Sequence, residues 1–411
     1  MSKSNYYFGQ NVYGQVLRLI PVNLISKITK KNGSDYAIKK LDTRTHLYVM
    51  CYAVMNDITG LRHICDGLIA MGNNLSQIGL DYVPPKSTLS DGNKKRSSDV
   101  FAQIYMALYQ YYYKIISDRT VIEPLLANAY AIDATTMPLF KAILKASGRK
   151  SKDGNEKGGI KAHVQIRLID ELPMNVKHTS GATNDHTFLK DLDLKPHDIA
   201  IFDKAYVDYP QYACWNKLSI YFVTREKDNA KSITIWEREL PDDKDFEVLL
   251  DEEVMKTYKD ENNQQQQMLL RRTVIWSEKH QDTIVLLSNC FHLKASEISM
   301  LYRKRWRIEL LFKQLKQNFP LKYFVGDNQN AIEIQIWCVL IVNLLFTVIR
   351  LQSGNEKMSF ALLTSIIRQH SSSHLNILKY INNPNGLRKE YESTIKSQKI
   401  TEQTKIVFNS I

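Results

Sequence analysis

An uninterrupted alternation of apolar and polar residues runs from Ile160 to Leu168, and it constrains the fold more than any other stretch of the chain. Successive side chains of a β-strand point to opposite faces of a sheet, so this alternation predicts a strand with one buried face. Lys161 and His163 fall on the polar face, together with Gln165 and Arg167. The stretch therefore predicts a strand that belongs to a larger sheet.

Other predicted strands and helices surround this strand in a definite order. Along the chain, the predicted strands are Tyr130–Ala134, Ile160–Leu168, Met174–Thr179, Ile199–Asp203 and Ile220–Thr224, with helices at 185–194 and 209–217. Three antiparallel strands followed by helix, strand, helix and strand is the order of the ribonuclease-H-like fold, an α/β class with helices flanking a mixed sheet. The first and fourth strands of that fold are adjacent, so Asp133 and Asp203 become neighbours at the edge where α/β proteins bind ligands.

The chain divides into five predicted segments. Residues 1–115 contain short helices, one of them capped by Thr59, and basic connectors such as Ser87–Arg96, which is typical of a small DNA-binding domain. A helical scaffold whose lysines only face water is the alternative. The other segments are a catalytic core in two parts (116–226 and 288–350), a β-rich insertion between them (227–287, with a loop at Gln264–Gln267) and a helical C-terminal region (351–411).

The stretch from Leu301 to Gln317 contains no Pro or Gly and predicts one continuous helix. An α-helix turns roughly 100° per residue. This rotation places Tyr302, Arg305, Glu309 and Lys316 within roughly 60° of one another, beside an apolar face. A carboxylate among cations suits metal and phosphate binding. An amphipathic surface helix with an Arg305–Glu309 ion pair is the alternative.

Charge and composition restrict the class of protein. The chain has 411 residues, a net charge of +12 and a pI near 9.2, and such a basic excess favours a nucleic-acid partner. The five cysteines lack the spacing of a zinc site or a disulfide framework, so a reducing cytoplasm is expected. Ile334–Ile349 is the most apolar run, but it is shorter than the ~20 residues of a membrane span. We expect a buried helix there and no membrane partner.

Asp133, Asp203 and Glu309 are far apart in the sequence, yet the predicted fold would gather them. Three close carboxylates repel one another, and a bound cation relieves the repulsion. Mg²⁺ and Mn²⁺ prefer oxygen ligands, and two such ions about 3.5–4 Å apart activate an attacking oxygen and stabilise a leaving one. The three acids therefore predict a site for two divalent ions.

Together these residues resemble the signature of DDE transposases of bacterial insertion sequences, in the class named for its Tyr-Arg-Glu-Lys motif. Tyr302, Arg305, Glu309 and Lys316 stand at the spacing of that motif. The remaining resemblance is carried by Asp133 in AIDAT, Asp203 and Tyr206 in FDKAY, Arg225 in FVTR, Lys161 and His163 in KAH, and Trp306 beside Arg305. The similarity extends over most of residues 5–350.

The resemblance implies cut-and-paste DNA transposition. Asp133, Asp203 and Glu309 would be both the catalytic acids and the metal ligands. A homodimer would bind double-stranded DNA, namely the terminal inverted repeats of its element and the target DNA, in the bacterial cytoplasm at the nucleoid. The expected DNA contacts are Tyr302, Arg305, Lys316, Trp306, Arg225, Tyr206, Lys161 and His163. Trp306 either stacks on a flipped base or packs in the core.

Two other classes of protein share some of these features. A ribonuclease-H-like nuclease without strand transfer would carry the same acids, although the basic face of the predicted helix and the β-rich insertion favour the transposase. A non-catalytic DNA-binding relative would be recognised by a missing acid, and all three acids are present.

Overall fold

The computed structural model describes residues 10–72, 75–117, 123–138, 148–150, 156–181, 183–228, 230–240, 248–278, 281–355, 358–383 and 385–386. The chain forms two compact units. The first combines Met1–Arg119 with Gln317–Ile411, and the second is Thr120–Lys316. The predicted boundaries at 115, 226, 287 and 350 stay predictions, and residues 387–411 of the predicted C-terminal region lie outside the described residues.

The described strands all lie between Ala129 and Ser288, and the described α-helices, apart from one, lie before or after that range. The α-helices are α1 (Val12–Leu17), α2 (Val22–Asn32), α3 (Thr43–Met55), α4 (Leu61–Ala70), α5 (Lys86–Lys95), α6 (Ser98–Ser117), α7 (Tyr209–Lys217), α8 (Ala295–Lys304), α9 (Trp306–Asn318), α10 (Gln329–Ser353), α11 (Phe360–Gln369) and α12 (Ile377–Asn382). The strands are β1 (Ala129–Pro138), β2 (Gly148–Lys150), β3 (Glu156–Arg167), β4 (Leu172–Ser180), β5 (Ile199–Phe202), β6 (Tyr221–Arg225), β7 (Ile233–Glu237), β8 (Val248–Lys259), β9 (Gln265–Ser277) and β10 (Asp282–Ser288).

The first unit is helical, and its core forms around α10. Asn328 caps this helix by accepting a hydrogen bond from the N–H of Ala331, and α3, α5, α6, α11 and α12 pack against it. Because α10 is surrounded, most of its residues are buried and its sequence is apolar on every side. Among the described helices, α10 alone is long and apolar enough to cross a membrane, but 89% of its most apolar window is buried in the protein. The predicted buried helix at Ile334–Ile349 is confirmed.

The second unit is built on a mixed sheet of the ten described strands. Their order is β2-β3-β1-β5-β6-β10-β9-β8-β7, with β4 also paired to β3. Only the β1–β5 and β5–β6 pairs are parallel; the others are antiparallel. The predicted adjacency of the strands that carry Asp133 and Asp203 is therefore observed.

Aromatic side chains hold the parallel part of this sheet together. Phe202 of β5, Tyr212 and Trp215 of α7, and Phe222 of β6 are buried in one cluster. The rings of Tyr212 and Phe222 stack with their centroids 4.2 Å apart. Such pairs add about 0.5–1.5 kcal/mol to the free energy gained by burial. The cluster therefore fixes the backbone on which Asp203, the residue after β5, is presented.

The strands of the predicted insertion extend the same sheet. Arg271 of β9 donates hydrogen bonds to both carboxylate oxygens of Asp251 in β8 (2.8 and 2.7 Å). Lys256 donates to Glu226, which follows β6 (2.6 Å). All four side chains are buried, and shifting either strand would leave uncompensated charges. These ion pairs therefore favour the observed register of β8 against β9.

Several local predictions differ from the structure. The helix predicted from Thr59 begins at Leu61, and no side chain caps it. The predicted connector Ser87–Arg96 is mostly helix α5. Gln265–Gln267, predicted as a loop, pairs with Lys259–Thr257 as strand β9, and the helix predicted at 185–194 is a 3₁₀ helix over Asp185–Asp191. In each case pairing or packing with distant residues overrides the local sequence preference.

The predicted continuous helix Leu301–Gln317 is two helices that meet at Arg305. The N–H of Arg305 bonds to the carbonyl of Tyr302, and the N–H of Ile308 bonds to the carbonyl of Arg305. These bonds span three residues, as in a 3₁₀ turn, instead of the four of an α-helix. The tighter turn separates α8 from α9 and presents Arg305 at their junction.

Candidate active site

Two carboxylates stand just beyond the parallel pairing of β1 with β5, Asp133 within β1 and Asp203 directly after β5. Ala131 of β1 is the last residue in register with β5, where it faces Ile201. Asp133 and Asp203 each lie two residues further along their strands. The parallel pairing thus brings together two acids that are 70 residues apart in the sequence.

Glu309 joins these acids through Arg305. The Nη2 atom of Arg305 donates a hydrogen bond to Oε1 of Glu309 at 2.7 Å, one helical turn away on α9. The Nη1 atom of the same guanidinium donates to Oδ2 of Asp133 at 3.4 Å. Arg305 is thus the positive charge that Asp133 and Glu309 share.

Asp133 lies in an environment that disfavours its charge. The pKa of Asp133 is raised to about 6, chiefly by burial and to a smaller extent by the carboxylates of Asp203 and Glu309. The N–H of Ala134, which donates to Oδ1 at 2.7 Å, and the Arg305 guanidinium lower it. The charges of Asp203 and Glu309 therefore act on Asp133, and Arg305 contacts both Asp133 and Glu309.

The backbone around Asp203 is fixed by two hydrogen bonds. Its Oδ1 accepts from the N–H of Ala205 at 2.8 Å and caps the 3₁₀ turn Lys204–Tyr206. Its carbonyl accepts from the hydroxyl of Thr224 on β6 at 3.2 Å. One carboxylate oxygen is therefore held by the backbone, while the side chain stays at the sheet edge.

The other residues of the predicted motif surround the acids. The Arg305 guanidinium lies over the ring of Tyr302, 5.6 Å from its centroid. Burial raises the pKa of Tyr302, and the charges of Asp203 and Arg225 also act on that pKa, which places both near the ring. Lys316 donates to the backbone carbonyl of Thr136 on β1 at 3.3 Å. All four motif residues therefore lie around one end of β1.

The predicted DNA contacts differ in exposure. Trp306, at the start of α9, is 45% exposed, and Arg225 at the end of β6 is half-buried. His163 and Tyr206, in contrast, are buried. The predicted polar face of β3 is therefore covered by protein at His163, which cannot reach DNA in this conformation.

A buried polar network lies beneath the turn that follows Asp203. Asp185 accepts a hydrogen bond from Lys161 at 2.8 Å, and its carboxylate lies 3.8 Å from Nδ1 of His163. The other ring nitrogen of His163 bonds to the hydroxyl of Thr179 at 2.8 Å, and the Tyr206 hydroxyl lies 3.5 Å from Nδ1. Burial lowers the pKa of His163 to about 4, so this ring is neutral. The sequence analysis did not identify Asp185, whose only signal was an acid at a predicted helix start.

The donor set suits a hard divalent cation. Carboxylate oxygens are the ligands that Mg²⁺ and Mn²⁺ prefer, and the guanidinium between Asp133 and Glu309 shows that the site accepts positive charge. Within the described residues, no three His, Cys, Asp or Glu side chains are grouped closely enough to hold a metal ion. Arg305 contacts both acids in this arrangement, and moving its guanidinium would free them as ligands.

Comparison with protein families decides the class of this chain. A family model described as "Transposase DDE domain" matches residues 125–345, more than half of the chain. The chain belongs to the DDE transposase family. The matched residues include Asp133, Asp203 and Glu309, so the group of acids lies inside the transposase domain. A second family model, described only as a domain of unknown function, matches residues 8–81.

Individual transposases also resemble this one. The protein y4zB of Sinorhizobium fredii, named as a transposase, is 29% identical over 261 residues, which cover 63% of this chain and 69% of that protein. A Geobacillus stearothermophilus protein, named as a transposase for insertion sequence element IS5377, is 24% identical over 59% of this chain and 62% of that protein. A solved structure of the piggyBac transposase synaptic complex with hairpin DNA matches with a TM-score of 0.40 and 12% identity, over 95% of this chain and 85% of that one.

Proposed function

We propose that this protein cuts and rejoins DNA at the ends of its own insertion sequence, in a cut-and-paste transposition. The observation that carries the proposal is the contact of Arg305 with both Asp133 and Glu309, together with the effect of the Asp203 charge on the pKa of Asp133. Membership of the DDE transposase family supports it. We also propose that the protein belongs to the class named for the Tyr-Arg-Glu-Lys motif, because it carries these four residues at the spacing of that motif.

We further infer that β4-β3-β1-β5-β6 is a ribonuclease-H-like core. The order and direction of these five strands support this assignment, since three antiparallel strands precede two parallel ones. The strands β7–β10 add to the β6 edge as an insertion before the helix that carries Glu309.

Asp133, Asp203 and Glu309 would hold Mg²⁺ or Mn²⁺, in a pair of ions. Such ions, when bound, would activate the attacking oxygen and stabilise the leaving oxygen of a phosphodiester. The protein itself would hold the acids in position for the ions. Ala205 holds one carboxylate oxygen of Asp203, and Thr224 holds its backbone carbonyl.

The cations of the site would hold the DNA backbone. Arg305 and Lys316, together with Arg225, would bind phosphate oxygens near the cut, because guanidinium and ammonium groups form charge-assisted hydrogen bonds to phosphate. Trp306 is exposed enough to stack on an unpaired base. The structure engages the side chains of Lys161, His163 and Tyr206 in hydrogen bonds within the protein. These residues would therefore support the site instead of contacting DNA.

The substrate would be double-stranded DNA, first the terminal inverted repeats and then the target, bound by a homodimer in the bacterial cytoplasm at the nucleoid. The net charge of +12 supports a polyanionic partner. A nuclease without strand transfer is the second candidate, since the same acids would serve it, and a non-catalytic DNA-binding relative is the third.

The test uses a labelled duplex that contains one element end, with Mg²⁺ or Mn²⁺. We expect nicking at the end, joining of the new 3′ hydroxyl to a target duplex, and neither reaction with EDTA. Asp203→Asn should lower the cleavage rate by at least about a thousandfold while the variant still binds the duplex, because removing a metal ligand spares phosphate contacts. Cleavage without joining would favour the nuclease, and binding without either reaction would favour the non-catalytic relative.

A further inference from the structure

A short loop between α2 and α3 presents its side chains to solvent. Tyr36 is 89% exposed and Ile38 is 46% exposed, and Lys39 and Lys40 are exposed as well. A tyrosine ring in water forgoes the free energy of burial. The loop therefore offers both apolar and basic side chains to a partner.

Arg96 clamps this loop at both of its ends. Its Nη2 donates to the backbone carbonyl of Leu41 at 2.7 Å and lies 3.4 Å from Oδ1 of Asp35. The same Asp35 oxygen accepts from the N–H and the hydroxyl of Thr43, both at 2.7 Å. Residues 36–40 thus project between two points that a single guanidinium holds.

The clamp is anchored in the interior of the first unit. Arg96 is 8% exposed, and its Nη1 donates to Nδ1 of His46 at 2.8 Å. The opposite ring nitrogen of His46 bonds to the side-chain oxygen of Asn93 at 2.7 Å. Burial and the Arg96 charge lower the pKa of His46 to about 3, so the ring stays neutral and accepts from Arg96. The loop is therefore rigidly presented.

The exposed face of α2 continues the same surface. Ile25 and Thr29 are buried, and the opposite face of α2 carries exposed lysines. Together with the loop, the exposed lysines are Lys27, Lys30, Lys31, Lys39 and Lys40. None of them forms an ion pair with any residue in the described part of the chain. The nearby acids are used elsewhere, since Asp35 binds Thr43 and Asp42 caps α3.

We propose that this surface, the α2 lysines with the Arg96-clamped loop, binds double-stranded DNA, an inference that rests on the proposed function. Five unpaired ammonium groups match the phosphates of a duplex, and a clamped loop loses little entropy on binding. Tyr36 projects among these lysines, where it contacts the sugar and base edges of a groove. An anionic membrane would also attract lysines, but two apolar side chains offer little area for insertion. The lysines and the loop lie within residues 8–81, which match the domain of unknown function. The proposal therefore gives that domain a role in DNA binding.

The test measures duplex binding by the full chain at several salt concentrations. In one variant Lys30, Lys31, Lys39 and Lys40 are changed to Gln. The matched control changes four other exposed lysines to Gln, Lys86, Lys114, Lys217 and Lys259. Each phosphate contact contributes roughly 0.9 to the slope of log K against log salt concentration. We therefore expect the first variant to lose about 3–4 from the slope and the control to lose much less.

Tyr36→Ala tests the loop without changing the charge. We expect its affinity for a duplex to fall about tenfold, the loss of one good contact, with an unchanged salt slope. Cleavage of an element end by the parental protein, which depends on the acids, is measured in parallel. Equal salt slopes for the surface variant and the control variant would overturn this inference. The proposed function would still stand if the parental protein cuts an element end. If the four-lysine surface variant loses binding to phosphatidylserine vesicles but keeps its DNA binding, the inference is overturned and the surface binds a membrane instead. A parental protein that neither binds nor cuts duplex DNA overturns both.

Discussion

The Nη2 atom of Arg305 lies 2.7 Å from Oε1 of Glu309, and the same guanidinium also reaches Asp133. Its Nε is buried and has no hydrogen-bond partner among the residues that the structure describes. Arg305 therefore neutralises two carboxylates without satisfying all of its own donors. This geometry suits a cation that is exchanged when a divalent ion and a phosphate enter the site.

Arg305 should compete with a divalent ion for Asp133 and Glu309. Removing its charge in Arg305→Met should raise the affinity for Mn²⁺ in the absence of DNA by about tenfold or more, because hydrogen bonds to charged groups contribute roughly 1.5–3 kcal/mol. Isothermal titration with Mn²⁺ measures this directly. Lys316→Met is the matched control, since Lys316 bonds to the Thr136 carbonyl and to neither acid. An equal gain in both variants would show a general charge effect instead of competition.

Asp185 should position the turn that carries Asp203. Asp185→Asn removes the charge that Lys161 contacts and loosens the packing of His163 beneath Tyr206. We expect a loss of roughly 10–100-fold in the cleavage rate, as for other residues that support metal ligands, with unchanged affinity for the DNA end. Single-turnover cleavage and equilibrium binding separate the two quantities. Asp191→Asn breaks only a more exposed pair with Lys177 and should change neither, and a loss of binding in Asp185→Asn would contradict the positioning role.

His46 should make the stability of the first unit depend on pH. Its pKa is about 3 in the folded protein and about 6.5 in an unfolded chain. Below pH 6.5 the unfolded chain therefore binds a proton that the folded protein does not, so stability falls as the pH falls. The expected contribution is about 2 kcal/mol between pH 6.5 and 5.

Urea unfolding at pH 7, 6 and 5 measures this dependence. His46→Gln keeps an acceptor for Arg96 and removes the titration. The stability of this variant should therefore fall less steeply than that of the parent as the pH falls, by up to roughly 1.4 kcal/mol per pH unit. His63→Gln, at an exposed position of α4, controls for the loss of an imidazole. Parallel curves for the parent and His46→Gln would show that His46 does not cause the dependence.

Gly326 should be required by the approach of α10. A Cβ at this position would lie 2.2 Å from Cβ of Ala331, and a buried alanine has no rotamer that relieves the contact. Gly326→Ala should lower the free energy of unfolding by roughly 1–3 kcal/mol, the usual cost of overpacking. At Gly60 the nearest atom to an added Cβ is 3.5 Å away, so Gly60→Ala should stay within about 0.5 kcal/mol of the parent. Thermal unfolding of the two variants decides whether the contact is as tight as the structure indicates.

The adjacency of the strands that carry Asp133 and Asp203 could be predicted from the sequence, but the surroundings of these acids could not. Asp133 and Asp203 follow short apolar runs, and such runs predict buried strands whose ends meet at one edge. The Arg305–Glu309 pair follows from a spacing of four residues. The burial of His163 could not be predicted, because its partners Thr179 and Asp185 come from later parts of the chain. An alternating strand shows which residues share a face, but not what covers that face.

Elements with poor local signals were mispredicted for the same reason. Helix α5 contains Gly92 and Asn93, both weak helix formers, and it is helical because Leu89 and Asn93 are buried against other elements. Strand β8, which the sequence analysis did not predict, begins just beyond residues 241–247, which lie outside the described part, and it gains its partners from β7 and β9. Contacts with residues that are distant in the sequence determine these elements, and a short stretch of sequence gives no information about such contacts.

The position of α10 has a consequence for the newly made chain. Helices α3 and α6 bury their apolar faces against α10, which begins more than two hundred residues after α6 ends. A ribosome would therefore complete the whole second unit before the first unit obtained its central helix. Until then the nascent N-terminal helices would expose apolar surface and depend on chaperones. For the same reason, residues 1–115 made alone would lack the helix around which their core is built.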